Sequence, residues 1–155
     1  MAQEFIVSNL NDENDGDFSV GDLSLREAIA LSSITEGADT ITFDSRLSGS
    51  TIAIDESLDR SLAINDSVSI NGLGQDNLTL DGGFVFNVES DVDLAIDGLN
   101  LTGGKIDSSG NVALTESIIS QTIPIGDSSD NSFDTIYRLY RRKRSLSACW
   151  RFNFR

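Results

Sequence analysis

The feature that most restricts what this chain can fold into is an echo at a fixed distance. Val68-Ser-Ile70-Asn-Gly72-Leu73 returns as Leu94-Ala-Ile96-Asp-Gly98-Leu99, an offset of 26 residues. Ile52-Ala-Ile54-Asp55 returns as Leu78-Thr-Leu80-Asp81, again 26 on, and Val112-Ala-Leu114 follows Leu94-Ala-Ile96 by 18. Around them lie Ile41-x-Phe43, Leu62-x-Ile64, Phe84-x-Phe86-x-Val88 and Leu99-x-Leu101, each bounded by Asn, Asp, Gly or Ser. Short alternating segments between turn residues read as strands that send every second side chain into a core. Two strand series with one shared offset imply stacked units of two or three strands, none able to bury its inner face alone. An antiparallel sandwich also has many short strands, but it gives no reason for a 26-residue echo. The expected fold class is therefore all-β, a right-handed parallel β-helix (solenoid). Ile52, Ile54, Leu62, Ile64, Val68, Ile70, Leu78, Leu80, Leu94 and Ile96 are expected to point inward.

A column of this kind needs a cover at its end, because strand edges and apolar side chains would otherwise meet water. Ser24-Leu-Arg26-Glu27 fits a capping box, in which the serine hydroxyl and the glutamate carboxylate satisfy helix-start amides. Leu25, Ala28, Ile29 and Ser32 then form one small apolar face. The reading is a short N-terminal capping helix over about 24–33, inside a domain spanning 1–135.

Composition changes beyond that point. Residues 1–135 hold four basic residues (Arg26, Arg46, Arg60 and Lys105), whereas 136–155 hold the other seven, and no acidic residue follows Asp134. Alternation stops there too. Three readings of 136–155 stay open. It is a basic aromatic tail for an acidic surface, a flexible unfolded terminus, or an artefact of a shifted frame or truncation in a protein that continues as solenoid.

Leu23-Ser-Leu-Arg-Glu-Ala-Ile29, followed by Gly37-Ala-Asp-Thr-Ile-Thr-Phe-Asp44, resembles the opening of the CSLREA-type domains. Val68–Gly74, Leu78–Gly82 and Leu94–Gly104 resemble the same family's repeating pattern, so the likeness covers roughly residues 3–120. It implies an N-terminal domain leading into a parallel β-helix of large bacterial surface or secreted proteins. It implies an architectural role and no reaction. Many relatives carry a cysteine pair in the loop before the helix. Phe18 and Leu23 stand at what look like those places, which implies a hydrophobic contact in place of the bridge.

Other chemistry is restricted by what is missing. There is no histidine, which removes the usual general base and every Ser-His or Cys-His arrangement, and the one cysteine, Cys149, allows no intrachain disulfide. A formal charge of −14 disfavours nucleic acid and anionic membrane as partners. No stretch approaches the roughly 18 apolar residues of a membrane span. Met1–Val7 has no basic region or long apolar run, so no Sec signal peptide is expected in this chain.

The densest acidic segment, Asn11 to Asp22, places Asp15, Gly16 and Phe18 as an EF-hand loop would, but Asn11, Glu13 and Asp22 depart from its first, third and twelfth positions. Its carboxylates make calcium the one metal to consider, with Asp12, Asp15, Asp17 and Asp22 as candidate ligands; no other cofactor is indicated. Asn71–Leu78 resembles a single calcium-binding nonapeptide unit, which the repeat pattern alone explains. A glycosidase needs two facing carboxylates, and no pair stands out among so many aspartates. The expectation is a structural, adhesin-like module of a secreted or cell-surface protein without catalysis. Its expected partners are carbohydrate or other surface ligands, with self-association through an open C-terminal end. The alternative is a calcium-dependent carbohydrate-binding or polysaccharide-degrading (lyase or glycosidase) β-helix domain.

Overall fold

A computed structural model describes residues 1–120, 125–126 and 150–152. The described chain is mostly strand. In order it runs β1 (Glu4–Val7), α1 (Leu25–Ser32), β2 (Asp39–Phe43), β3 (Ser50–Ala53), β4 (Ser61–Ile64), β5 (Val68–Asn71), β6 (Leu78–Asp81) and β7 (Val85–Val88). It continues with β8 (Asp93–Asp97), β9 (Asn100–Thr102), β10 (Lys105–Ser108), β11 (Asn111–Thr115), β12 (Ile118–Ser120), β13 (Ile125–Gly126) and β14 (Trp150–Phe152). From β2 onward the chain visits three sheets in strict rotation. The first has the order β1-β2-β5-β8-β11-β14, the second β3-β6-β9-β12 and the third β4-β7-β10-β13. Every pairing among these strands is parallel except the antiparallel β11–β14 pair. The class is all-β, built on parallel sheets. The readings of 136–155 lie outside the described residues, apart from the backbone of Trp150–Phe152.

The echoes seen in the sequence are partly register. Val68 pairs with Leu94 and Ile70 with Ile96, an offset of 26, and Leu94 pairs with Val112, an offset of 18. The second series is corrected. Ile52 lies opposite Leu80 and Ser50 opposite Leu78, so that offset is 28 and not 26. A two-residue slip preserves which side chains point inward, because the strand period is two, so the burial pattern could not reveal it. All ten side chains expected to point inward are buried, in one cluster that also takes Ile41, Phe84, Phe86, Leu99, Leu101 and Ile106. Phe84 and Phe86 meet edge to face, ring centroids 5.3 Å apart, a geometry that adds to simple burial.

The corners tighten along the chain. Between β8 and β11 each of three turns is two residues: Gly98-Leu99, Gly103-Gly104 and Ser109-Gly110. Successive turns stack so closely that a side chain has no room. A Cβ on Gly72 would lie 2.3 Å from the Gly98 carbonyl oxygen, and one on Gly104 would lie 2.3 Å from the Phe84 ring. These contacts explain why Asn71-Gly72 and Asp97-Gly98 recur together. They leave the nonapeptide-like stretch as a packed turn, in which Asn77 Nδ2 donates to the Leu73 carbonyl at 2.9 Å.

The helix follows the capping-box reading. Ser24 is the N-cap; its Oγ accepts from the Glu27 amide at 3.2 Å, and the Ser24 amide donates to Glu27 Oε2 at 3.2 Å. Leu25, Ala28, Ile29 and Ser32 are buried as the periodicity requires, and so is Glu27. The helix packs against β1, β2 and β4.

Candidate functional site

The polar machinery of the described residues concentrates where the loop 8–24 meets α1 and the first strands. Its centre is Asp12, whose side chain is 1% exposed. Arg26 Nε donates to Asp12 Oδ1 at 2.8 Å and Nη2 donates to Oδ2 at 2.7 Å, a two-pronged pair of the strong kind. The Asp55 amide, just past β3, donates to Asp12 Oδ2 at 3.0 Å, and Arg26 Nη1 donates to the Ser61 carbonyl of β4 at 3.4 Å. One ion pair thus ties loop, helix and two sheets together.

Glu27 fastens the next stretch. Its Oε1 accepts from the Gly16 amide at 3.0 Å, while Oε2 takes the Ser24 amide. The Ser24 hydroxyl lies 2.8 Å from the Glu13 carbonyl and 3.0 Å from Glu27 Oε2, and its one proton serves either. The Ser8 and Asn9 amides both donate to the Leu23 carbonyl, closing the loop at its base. Leu23 joins the core, but Phe18 remains 51% exposed and outside the core cluster. The hydrophobic contact implied in place of a disulfide is not the tie; hydrogen bonds and the Asp12–Arg26 pair are.

The four candidate calcium ligands have separate local tasks. Asp12 neutralises Arg26. Asp15 Oδ1 accepts from the Asp17 amide at 2.9 Å, Asp17 Oδ1 from the Ser19 amide at 3.0 Å, and Asp22 Oδ1 from Asn9 Nδ2 at 3.2 Å. Among the described residues no group of three or more acidic or other ligating side chains is arranged to hold a metal ion. The Ser19 hydroxyl and amide hold the Asp17 carboxyl below the usual range. Glu13 moves the other way: desolvation raises it, with the charges of Asp22, Asp15 and Glu27 adding to the rise.

Family models, curated proteins and solved structures were all compared with the chain. None matches. The assignment of this site therefore rests on its own geometry. A shallow groove of about 260 Å³ runs beside it, between α1 and β4, lined by Arg26, Ile29, Ala30, Ser33, Leu62, Ala63 and Asn65. Arg26, the one cation among these residues, is already engaged by Asp12. No helix of the described residues is long and apolar enough to cross a membrane.

Sequence reasoning missed Arg26 as the partner of Asp12 and Glu27 as the anchor of Gly16. A signal existed for the first: with only four basic residues before residue 136, a buried acid in this loop has few possible partners.

Proposed function

We propose that this chain is the capped N-terminal part of a right-handed parallel β-helix of the CSLREA type. In this reading it is a structural or adhesive module of a secreted or cell-surface bacterial protein and has no catalytic role. The observation that carries the reading is how the motif Leu23–Ile29 is used. Its apolar members Leu23, Leu25, Ala28 and Ile29 are buried, Ser24 and Glu27 bond the loop and the helix start, and Arg26 neutralises Asp12. Every one of these roles is architectural. The rotation of the chain through three parallel sheets over one apolar cluster supports the solenoid, with α1 as the cover of its first strands. Carbohydrate or another surface polymer is the proposed ligand class, as the family resemblance implies; the polar side chains of Thr79, Asn87 and Asn100 bond within the sheets, Asn87 to Ser61 and Asn100 to Thr79.

The test is adsorption of the full chain to a panel of bacterial and plant polysaccharides, with reducing ends and unsaturated products assayed in the same wells. Parallel wells contain millimolar calcium or a chelator. Adsorption without cleavage is the expected result. Release of reducing ends or unsaturated products, above all if calcium-dependent, would replace this reading by a calcium-dependent polysaccharide-degrading domain.

A further inference from the structure

The chain holds one Asn-Gly step, Asn71-Gly72, and three Asp-Gly steps, Asp15-Gly16, Asp81-Gly82 and Asp97-Gly98. Such steps are where a polypeptide most readily modifies itself. The backbone nitrogen of the glycine attacks the side-chain carbonyl carbon, and the leaving group is ammonia from an asparagine or water from an aspartic acid. Water then opens the cyclic imide at either carbonyl, giving aspartate or isoaspartate. Glycine speeds the attack because it has no side chain to hinder it. The nitrogen must, however, be free to turn towards the side chain.

The stacked turns make glycine obligatory at position 72 and also withhold its nitrogen. Gly72 does not have the positive φ of Gly74, Gly82 or Gly98, so space alone demands it. A Cβ there would lie 2.3 Å from the Gly98 carbonyl oxygen and 2.6 Å from Leu99 Cδ2. The Gly72 amide donates to the Asp97 carbonyl at 2.7 Å, and Asn71 ends β5 directly opposite Asp97. The nitrogen cannot turn onto Asn71 without losing that bond and pressing on the next turn. Asn71 itself is exposed, so water is at hand once the nitrogen is released. Asp15-Gly16 differs, since it lies in a loop outside the strands. A Cβ on Gly16 would meet nothing within 4 Å, and its amide donates to a side chain, Glu27 Oε1, at 3.0 Å.

We propose that Asn71-Gly72 is a self-modification site held shut by the stacked turns, so that Asn71 converts to aspartate and isoaspartate only when β5 and β8 part. The conversion is one-way. Either product sets a carboxylate beside that of Asp97, the residue paired with Asn71, and like charges on paired residues disfavour re-pairing. A transient opening of the stack is thus recorded in the covalent chain.

The experiment incubates the full chain in mildly alkaline buffer, folded or unfolded in guanidinium chloride. Isoaspartate at each step is then followed over time by chromatography and mass spectrometry of proteolytic peptides, with Asp15 as the internal reference. At Asn71 the folded chain should react at least about a hundredfold more slowly than the unfolded one, as when reaction waits on a rarely populated local opening. At Asp15 the two rates should differ by less than about tenfold, because no ladder has to open there. Ile96→Ala removes a side chain that is 1% exposed and paired with Ile70, which loosens β8 against β5. In the folded state it should raise the Asn71 rate at least about threefold and leave the Asp15 rate unchanged. The wild-type comparison decides alone where that variant does not fold. A folded rate at Asn71 within about threefold of the unfolded one would overturn the proposal. So would protection at Asp15 as large as at Asn71, or an unchanged Asn71 rate in folded Ile96→Ala.

Discussion

Replacing Arg26 by Met tests the most concentrated ion pair among the described residues. The substitution keeps much of the side-chain length and its apolar contacts but deletes three donated hydrogen bonds, at 2.7, 2.8 and 3.4 Å. What remains is a carboxylate with a 1% exposed side chain, bonded among the described residues only by the Asp55 amide. Breaking a buried pair from one side typically costs about 3–5 kcal/mol, because an uncompensated charge stays in a poorly solvated place. Removing both partners in favour of apolar residues is often close to neutral. Arg26→Met should therefore lose about 3–5 kcal/mol, and Asp12→Leu/Arg26→Met should recover most of it. Urea unfolding followed by circular dichroism at low protein concentration gives the three free energies and their coupling. If Arg26→Met costs under about 1 kcal/mol, or the double variant is no better than the single, then the pair is not the buried tie described above.

Leu80→Ala, which removes a side chain 1% exposed in the middle of the second sheet, should cost about 2–5 kcal/mol by the same unfolding assay. Gly104→Ala should cost about 1–3 kcal/mol, because the new methyl meets the buried Phe84 ring, and a crystal structure should show that ring displaced. Asp44, lowered to about 2 by the side chain and amide of Arg46, should titrate by carbon-detected NMR with a midpoint near that value. Its folded pKa lies below the unfolded one, so its contribution is present above the unfolded pKa of 3.8 and fades as pH falls towards 2; Asp44→Asn should abolish that part of the acid-side slope. Titration calorimetry with millimolar calcium should give no heat that depends on Asp15, and a signal abolished by Asp15→Ala would establish the metal reading of the acidic loop.

Alternation and the two-residue period were legible in the sequence because burial acts on each strand locally. So was α1, whose cap is written in four consecutive residues. Register was less legible: nothing in Ile52-Ala-Ile54 says whether Leu78 or Leu80 lies opposite Ile52, since both point inward. Five strands went unseen, β1, β10, β12, β13 and β14, the first three of them for related reasons. β1 buries only Val7, so it leaves little alternation to read, and β12 joins two adjacent isoleucines that break alternation. β10 has one apolar inward residue, Ile106. Its other inward position holds Ser108, buried because its hydroxyl exchanges hydrogen bonds with Gly110 at 3.1 Å. In the candidate site, Asp15 and Asp17 bond amides two residues on, a range at which sequence is legible, whereas Asp12 is bonded from far along the chain. Asp12 answers to Arg26 and Asp55, and Arg26 in turn to Ser61, and no local pattern records contacts across such separations.

The narrowing of the corners determines where this architecture can vary. From β8 to β11 three two-residue turns are the shortest links that still carry the chain from sheet to sheet, and glycine occurs in each. Such links have no slack: one added residue must bulge outward or push a stacked neighbour. Between β2 and β4, by contrast, the links Asp44–Gly49 and Ile54–Arg60 are six and seven residues long and carry the surface ion pairs Arg46–Asp44 and Arg60–Glu56. Surplus chain is the raw material from which new contacts are made. Insertions, grafted epitopes and newly evolved ligand contacts should therefore be tolerated in those two early links and rejected in the later ones, which makes the stretch from β2 to β4 the adaptable part of the surface and that from β8 to β11 its fixed frame.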